Sequence, residues 1–451
     1  MPSLLVIWIA KLSAALSKRL GRGEASALPG LVAERLHSNI LEHFGRQLSQ
    51  GSVLVTGTNG KTTTTRMIAA ALSSDEQTLL VNRSGSNLSR SLVSSFILAS
   101  DWRGRVSADM AVFEVDEAAF PEVFEALKPK AVVILNLFRD QLDRYGELNT
   151  LASKLQQALK GTKAKVVLNA DDPLIAWLGH DLPNATYFGL RQASVKKLDH
   201  DYAADSTACP VCGRALIYQE IFYAHVGIYS CSKKHFKRPQ PIVVGSTTRV
   251  TLNQSQTTLE IDGKTHQLNL ELPGLYNVYN AMAAITMASQ LGHDVTEIIK
   301  SVESSPAAFG RAETIRINDR QLQIFLVKNP TGFNQVIQAY GAEPKASPLL
   351  ILVNDLIADG RDVSWLWDVA FEDMPESPVV VVGGTRVYDL ALRLKYAGVE
   401  AQAQASLNEA MKAFVESIPE GGKGIVLPTY TAMLELRKEL SKQTELVGMD
   451  Q

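Results

Sequence analysis

Short apolar runs, closed by glycine, asparagine or threonine, alternate along this chain with longer stretches whose apolar residues recur at helical spacing. Val53–Thr56 reads as a buried strand, followed by a glycine turn and a helix that begins near Lys61. MAVFEVDE (110–117), KAVVILNLF (130–138) and KVVLNADDP (165–173) read as further strands with helix-compatible segments between them. This alternation predicts a doubly wound parallel sheet. From 247 to 270 the period changes: TTRVTLNQSQTTLEIDGKTHQLNL sets β-branched residues against polar ones and predicts antiparallel strands. ELPGLYNVYNAMAAITMASQLG (271–292) then reads as a turn feeding a helix, and ESSPAAFG (303–310) breaks the helical pattern. A second, smaller α/β alternation follows, with strands at PLLILVND (348–355), PVVVVGG (378–384) and GKGIVLPTY (422–430). The resulting division is a leader over 1–45, a central unit over 46–304 and a C-terminal unit over 305–451.

Composition adds constraints. The 451 residues are 46% hydrophobic and 20% charged, with a net charge of −2, so nothing global calls for a nucleic-acid partner. Lys233, Lys234, Lys237 and Arg238 form a local basic run of the kind that is usually a solvated face. The three cysteines all lie between 209 and 231, which argues for a reducing compartment and a local metal site rather than a disulfide framework. Near the N-terminus the apolar run Leu4–Ala10 is far shorter than the roughly 20 residues of a spanning helix. Its basic residues, Lys11, Lys18, Arg19 and Arg22, follow the run instead of preceding it, unlike a signal peptide. A cytoplasmic protein is expected; the leader either packs on its own domain or rests on the anionic inner face of a membrane.

The strongest chemical signal is GTNGKTTTT (57–65) at the end of the first strand. Its Gly-x-x-Gly-Lys-Thr spacing is shorter than the common P-loop, and Val55 stands where that form has its first glycine. Gly57 and Gly60 let backbone N–H groups close on phosphate oxygens, Lys61 supplies charge, and Thr62 can ligate Mg²⁺ at a helix N-terminus. FEVDE places Glu114, Asp116 and Glu117 at a strand end, either as a metal-holding carboxylate group or as a solvated helix start.

These segments, with NLFRDQLDRYGE (136–147), NADDP (169–173), LPGLYNVYNAMAA (272–284) and FGRAE (309–313), resemble the Mur ligases, ATP-dependent amide-forming enzymes of peptidoglycan synthesis. The resemblance implies an α/β fold: a Mur-ligase-type central P-loop ATPase domain and a C-terminal Rossmann-like α/β domain. It also implies a nucleotide site at Gly57, Thr58, Asn59, Gly60, Lys61, Thr62 and Thr63, with a second metal at Glu114, Asn277 near the adenine and Arg311 at the terminal phosphate. FLVKNPTG (325–332) keeps Asn329 and Pro330 of a family segment but loses its acidic and histidine positions. Gln141 stands where the family has a metal-binding histidine, and no lysine clearly matches the family's carbamylated one, with Lys154 a candidate.

Within the family, the inserted ribbon-like segment (about 205–240) and the C-terminal stretches NDLIADGRDVSWLWD, GGTRVYDLALRLKYAGV and LPTYTAMLELR resemble the MurT-type synthetase subunits. Those work with a GatD-type glutaminase on lipid II. The implied reaction is ATP-dependent amidation of the α-carboxylate of D-glutamate in the lipid II stem peptide. ATP converts the poor acyl donor to an acyl phosphate, which ammonia from the partner attacks, while Lys61, Mg²⁺ and Arg311 stabilise phosphoryl charge. Asp362 of the D-G-x-D segment is implied as the group that orients the partner's catalytic histidine, although as a residue it also suits a helix cap. The ribbon has Cys209, Cys212 and Cys231, but Lys234 replaces the fourth cysteine. His235 one residue on completes a Cys₃His zinc site, His225 supplies the ligand instead, or the ribbon holds no metal. Two other readings stand beside this one. A conventional Mur ligase acting on a UDP-linked precursor would need a larger N-terminal domain than the 45 or so residues before the P-loop. A nucleotide-switched ribbon module would bind nucleic acid.

Overall fold

The computed structural model describes residues 4–19, 27–73, 77–82, 87–139, 148–194, 198–200, 203–305, 311–343 and 345–442, without the side chains of 17–19, 248, 311 and 312. The predicted parallel sheet is present and larger than the sequence pattern suggested. Its strands are β1 (Gly51–Thr56), β2 (Leu79–Val81), β3 (Met110–Glu114), β4 (Ala131–Ile134), β5 (Lys165–Asn169) and β6 (Ala185–Ala193). A separate hairpin of β7 (Leu216–Tyr223) and β8 (Val226–Cys231) intervenes before β9 (Val243–Val250), β10 (Ser255–Ile261) and β11 (Lys264–Leu270) complete the sheet. The order is β11-β10-β9-β6-β5-β4-β1-β3-β2, parallel from β2 to β9 and antiparallel from β9 to β11.

Burial on both faces explains the near-continuous apolar strands. Val53, Val55, Val133 and Val167 face a core with Met67, Ile68, Val278 and Met282 from the helices Lys61–Leu72 and Leu275–Gln290. Leu54, Val132, Ile134 and Leu168 face the opposite way, against Phe96, Phe120 and Leu155 of the helices Ser89–Ala99, Phe120–Leu127 and Leu148–Leu159. The N-terminal helix Leu4–Arg19 joins this second core through Val6, Ile7 and Ala10, while Leu5, Trp8, Leu12 and Leu16 on its other side are exposed. Among the described residues no helix is long and apolar enough to cross a membrane.

The second sheet follows β12 (Arg311–Ile317), β13 (Arg320–Phe325), β14 (Leu349–Leu352), β15 (Val380–Gly383), β16 (Gln402–Ala403) and β17 (Lys423–Pro428), in the order β12-β13-β17-β14-β15-β16. Three of these are the strands expected from the pattern. The antiparallel β12–β13 hairpin was not expected; it adds a polar-alternating edge to an otherwise parallel sheet. The boundary inferred near 303–312 falls partly outside the described residues.

Candidate active site

β1 lies between β3 and β4, so its carboxyl end opens where the connections run to either side of it, the place where open α/β sheets bind ligands. The loop there adopts backbone angles that exclude a side chain. Gly57 and Gly60 have φ of 133° and 90°, and a Cβ on Gly60 would stand 2.0 Å from Asn280 Oδ1. Asn136 fixes the loop: its Oδ1 accepts from the Asn59 amide at 2.8 Å, and its Nδ2 donates to the Asn59 carbonyl at 3.0 Å.

Two contacts define the polar centre. Thr62 Oγ1 donates to Glu114 Oε2 at 2.7 Å, and Lys61 Nζ lies 3.1 Å from Glu117 Oε2 and 2.7 Å from the Gly57 carbonyl oxygen. Burial by itself would discharge Lys61 and Glu117. Their mutual attraction, with Glu114 adding to the field on Lys61 and Lys328 to that on Glu117, outweighs it. The amine's pKa is therefore raised above its ordinary value and the carboxyl's lowered. Glu114 is itself buried, with its backbone held by both ends of the Asn82 amide.

The second sheet closes the site. After β13 the chain places Lys328 Nζ 3.2 Å from the Thr58 carbonyl oxygen, and Asn329 Nδ2 donates to Asn59 Oδ1 at 3.1 Å. Asn329 also caps the helix Pro330–Tyr340, its Oδ1 accepting from the Gly332 amide. Between the sheets lies a cleft bounded by Asn59 and Gly60 on one side, Asn329 and Gln335 on another, and the aromatic rings of Phe138 and Tyr279.

The expected residues divide unequally. Gly57, Thr58, Asn59, Gly60, Lys61, Thr62, Glu114 and Asn329 converge on this loop and cleft, and Thr63 is buried one position further along the helix. Asn277 does not line the cleft: its Nδ2 donates to the Pro273 carbonyl at 2.7 Å, and its Oδ1 accepts from Asn280. The asparagine of that helix which faces the loop is Asn280, one turn later in the same motif. Lys154 is exposed on the helix Leu148–Leu159, across the sheet from the P-loop helix. Gln141 and the Arg311 side chain lie outside the described residues.

At the ribbon, one sulfur from each of Cys209, Cys212 and Cys231 lies within 4.8 Å of the others. Burial opposes ionisation of Cys231, but the Lys233 amide, the other two thiols and the His235 amide bring its pKa down to about 7. The two knuckles are similar but not equivalent. Cys209 N–H donates to the Arg214 carbonyl and Cys231 N–H to the Phe236 carbonyl, yet the first turn closes from Gly213 to Cys209 and the second, one residue shorter, from Lys234 to Cys231. Lys234 takes the left-handed conformation at φ 60°, and His235 is exposed outside the sulfur group. His225 is also outside it. Fully buried against Phe138 at 4.7 Å, its Nδ1 accepts from the Asp205 amide, and its Nε2 lies 3.6 Å from Asp172 Oδ2.

In the connection after β14, Asp362 is exposed and accepts from the Ser364 amide at 2.8 Å; the short helix Ser364–Asp368 has Val363 at its N-cap and no side-chain cap, so this contact is a local turn and not the expected cap. Asp355 binds Thr385 and Arg386, and Asp359 is buried against Thr431. Of the three carboxylates, Asp362 is the most open to solvent.

The Mur ligase middle-domain model matches residues 55–219, which hold this loop and the strands around it, and the C-terminal model of MurT ligases matches 326–433. The chain is 35% identical over 433 residues to the lipid II isoglutaminyl synthase (glutamine-hydrolyzing) subunit MurT of Streptococcus pneumoniae strain R6, covering 94% of each. It is 30% identical to the Staphylococcus aureus strain COL subunit of the same name, covering 97% of this chain and 98% of that protein. The chain belongs to this family of MurT subunits. Among solved structures, a pseudomurein peptide ligase type C from Methanothermus fervidus shares the fold at TM-score 0.68 and 23% identity, over 88% of this chain and 79% of that one.

Proposed function

We propose that this chain is the synthetase subunit of a lipid II isoglutaminyl synthase. Near-full-length likeness to MurT subunits carries this reading, and the P-loop centre supplies its chemistry. An oxygen of the D-glutamate α-carboxylate attacks the terminal phosphorus of ATP, and the bond to ADP breaks. Ammonia then adds to the acyl carbon, the carbon–oxygen bond to phosphate breaks, and nitrogen loses a proton to leave the amide. Lys61 neutralises phosphate charge, the loop amides after Gly57 orient the phosphates, and Asn329 holds the C-terminal unit over them. Arg311 is assigned to the terminal phosphate.

Mg²⁺ suits the Thr62 hydroxyl and Glu114 carboxylate, two oxygen donors already 2.7 Å apart. When bound, it would offset charge on the transferred phosphoryl group. The ribbon's three thiols suit a structural zinc, with His235 turning inward as the fourth donor.

Ammonia is assigned to a GatD-type glutaminase. Tyr388, Leu392 and Tyr396 form an exposed stripe on the helix Val387–Tyr396 beside exposed Trp367, and Asp362 shares a cleft with Trp367 and Leu392. Such a surface would dock the glutaminase and present Asp362 to its histidine. The exposed side of the N-terminal helix, with Trp8 donating to the Trp102 carbonyl and no acidic residue in its 16 positions, would rest on the membrane that carries lipid II.

Ammonium chloride in place of the partner tests the chemistry of this subunit alone. ATP, lipid II and ammonium should yield amidated lipid II and one phosphate per amide; amide formation without ATP cleavage would refute the acyl phosphate route.

A further inference from the structure

By sequence position the ribbon insert is remote from the nucleotide motifs; in space it is not. Tyr223, the last residue of β7, is one of the side chains bounding the cleft between the sheets. Its ring centroid lies 5.7 Å from that of Tyr279, at 78°, and 6.1 Å from that of Phe138. Together with Tyr276 these rings make flat apolar walls, and the Asn136 and Asn280 amides lie in the same cleft. Flat walls with amide donors and acceptors match a purine base, which has two π-faces and a hydrogen-bonding edge.

The tip that carries Tyr223 is held from both directions. Beyond it Ala224 turns the chain at φ 45°, and His225 packs on Phe138. Tyr218 donates to the His225 carbonyl at 2.9 Å, and the Gly227 amide to the Asp171 carbonyl at 2.9 Å. At the root of the insert, Arg238 Nε donates to Asp171 Oδ1 at 2.5 Å and its Nη2 to the Leu190 carbonyl at 2.7 Å. The other Asp171 oxygen accepts from Tyr279 at 2.7 Å. The ribbon is thus joined to the same tyrosine that Tyr223 packs against.

We infer that the ribbon insert builds part of the nucleotide pocket, with Tyr223 as a wall for the base of ATP and the Arg238–Asp171–Tyr279 chain positioning the facing ring. This rests on the nucleotide reading of the cleft. Tyr223 acts through ring surface, so its hydroxyl is dispensable, and the base end of the nucleotide should feel its loss while the phosphate end does not.

Calorimetric binding of ADP and of tripolyphosphate to the full chain tests this. Tyr223→Phe should bind ADP like the parent, and Tyr223→Ala should bind it about tenfold more weakly, the loss of one aromatic contact. Tripolyphosphate, which has the phosphates without a base, should bind parent and variants equally. A Tyr223→Ala chain that binds ADP like the parent overturns the inference, as does equal weakening for both ligands, which marks general damage to the loop. A parent that binds tripolyphosphate but gains nothing from the base of ADP also overturns it. A parent that binds neither ligand instead removes the nucleotide reading of the cleft on which the inference stands.

Discussion

Asn329 Nδ2 donates to Asn59 Oδ1 at 3.1 Å, joining the cap of the helix Pro330–Tyr340 to the glycine-rich loop after β1. One side chain therefore serves the helix Pro330–Tyr340 and the closure of the cleft. Asn329→Ala loses both roles. The cap alone is worth about 1 kcal/mol, so a modest drop in thermal stability is expected, together with a raised KM for ATP. Asn329→Asp keeps the cap acceptor and should recover the stability without recovering the KM, since it has no amide to donate to Asn59.

The Lys61–Glu117 pair sets a pH dependence. Glu117 has its pKa below the ordinary 4.5, so its contribution is present above that value and lost as pH falls through the lower, folded one. Lys61 lies above its ordinary 10.5, so its contribution is present below that value and lost as pH rises through the folded one. Breaking a buried pair by removing one partner costs about 3 kcal/mol. Chemical denaturation of Glu117→Gln should show a loss of that order at neutral pH, with parent and variant converging in acid below the ordinary carboxylate value. Lys61→Ala breaks the same pair and should cost a similar amount, and in a chain that still folds it should also abolish ATP turnover.

The glycine-rich loop and the parallel strands were legible because their signals are local. Val53, Val55 and Leu54 are buried on opposite faces of one strand, and a continuous apolar run followed by glycines can hardly be read otherwise. What was hidden depends on register or on distance along the chain. Asn277 and Asn280 stand about one turn apart on the same helix, and only the helix's rotation decides that Asn280 faces Gly60. Tyr223 meets Phe138 across 85 residues of sequence, and no local pattern announces that contact. The β12–β13 hairpin alternates polar and apolar residues in short strands at a sheet edge, with Asn318 in a left-handed turn between them.

Zinc at the ribbon is open to direct analysis. Elemental measurement should find about one zinc per chain, lost in Cys231→Ser. His235→Ala should weaken retention if His235 turns inward; full retention would assign the fourth position to another donor.

Asp362 accepts from Ser364 and is otherwise turned to solvent, beside the apolar stripe of Tyr388, Leu392 and Tyr396. Asp362→Asn keeps the oxygen that accepts from Ser364 and removes the charge. Complex formation with the glutaminase should persist while glutamine hydrolysis by the assembled pair falls by up to about 10⁴-fold, the effect of removing the charge from a triad's orienting aspartate. Unchanged hydrolysis in a normally assembled pair would leave Asp362 only its turn contact with Ser364.

Membrane docking predicts that the complex sediments with phosphatidylglycerol vesicles and is released by salt. Trp8→Ala combined with Leu12→Ser should abolish sedimentation without changing ADP binding, because both side chains are exposed on the face of the N-terminal helix turned away from the core.

The central claim is amide formation at this subunit's ATP site, and isotope transfer reads it most directly. The complex of this chain with its glutaminase is given lipid II, ATP and glutamine carrying ¹⁵N in the side-chain amide. The account predicts ¹⁵N in the α-carboxamide of the D-glutamyl residue, with label and product both lost in Lys61→Ala. Labelled product formed at the parent rate by Lys61→Ala, or lipid II returned unamidated by the intact complex, would contradict it.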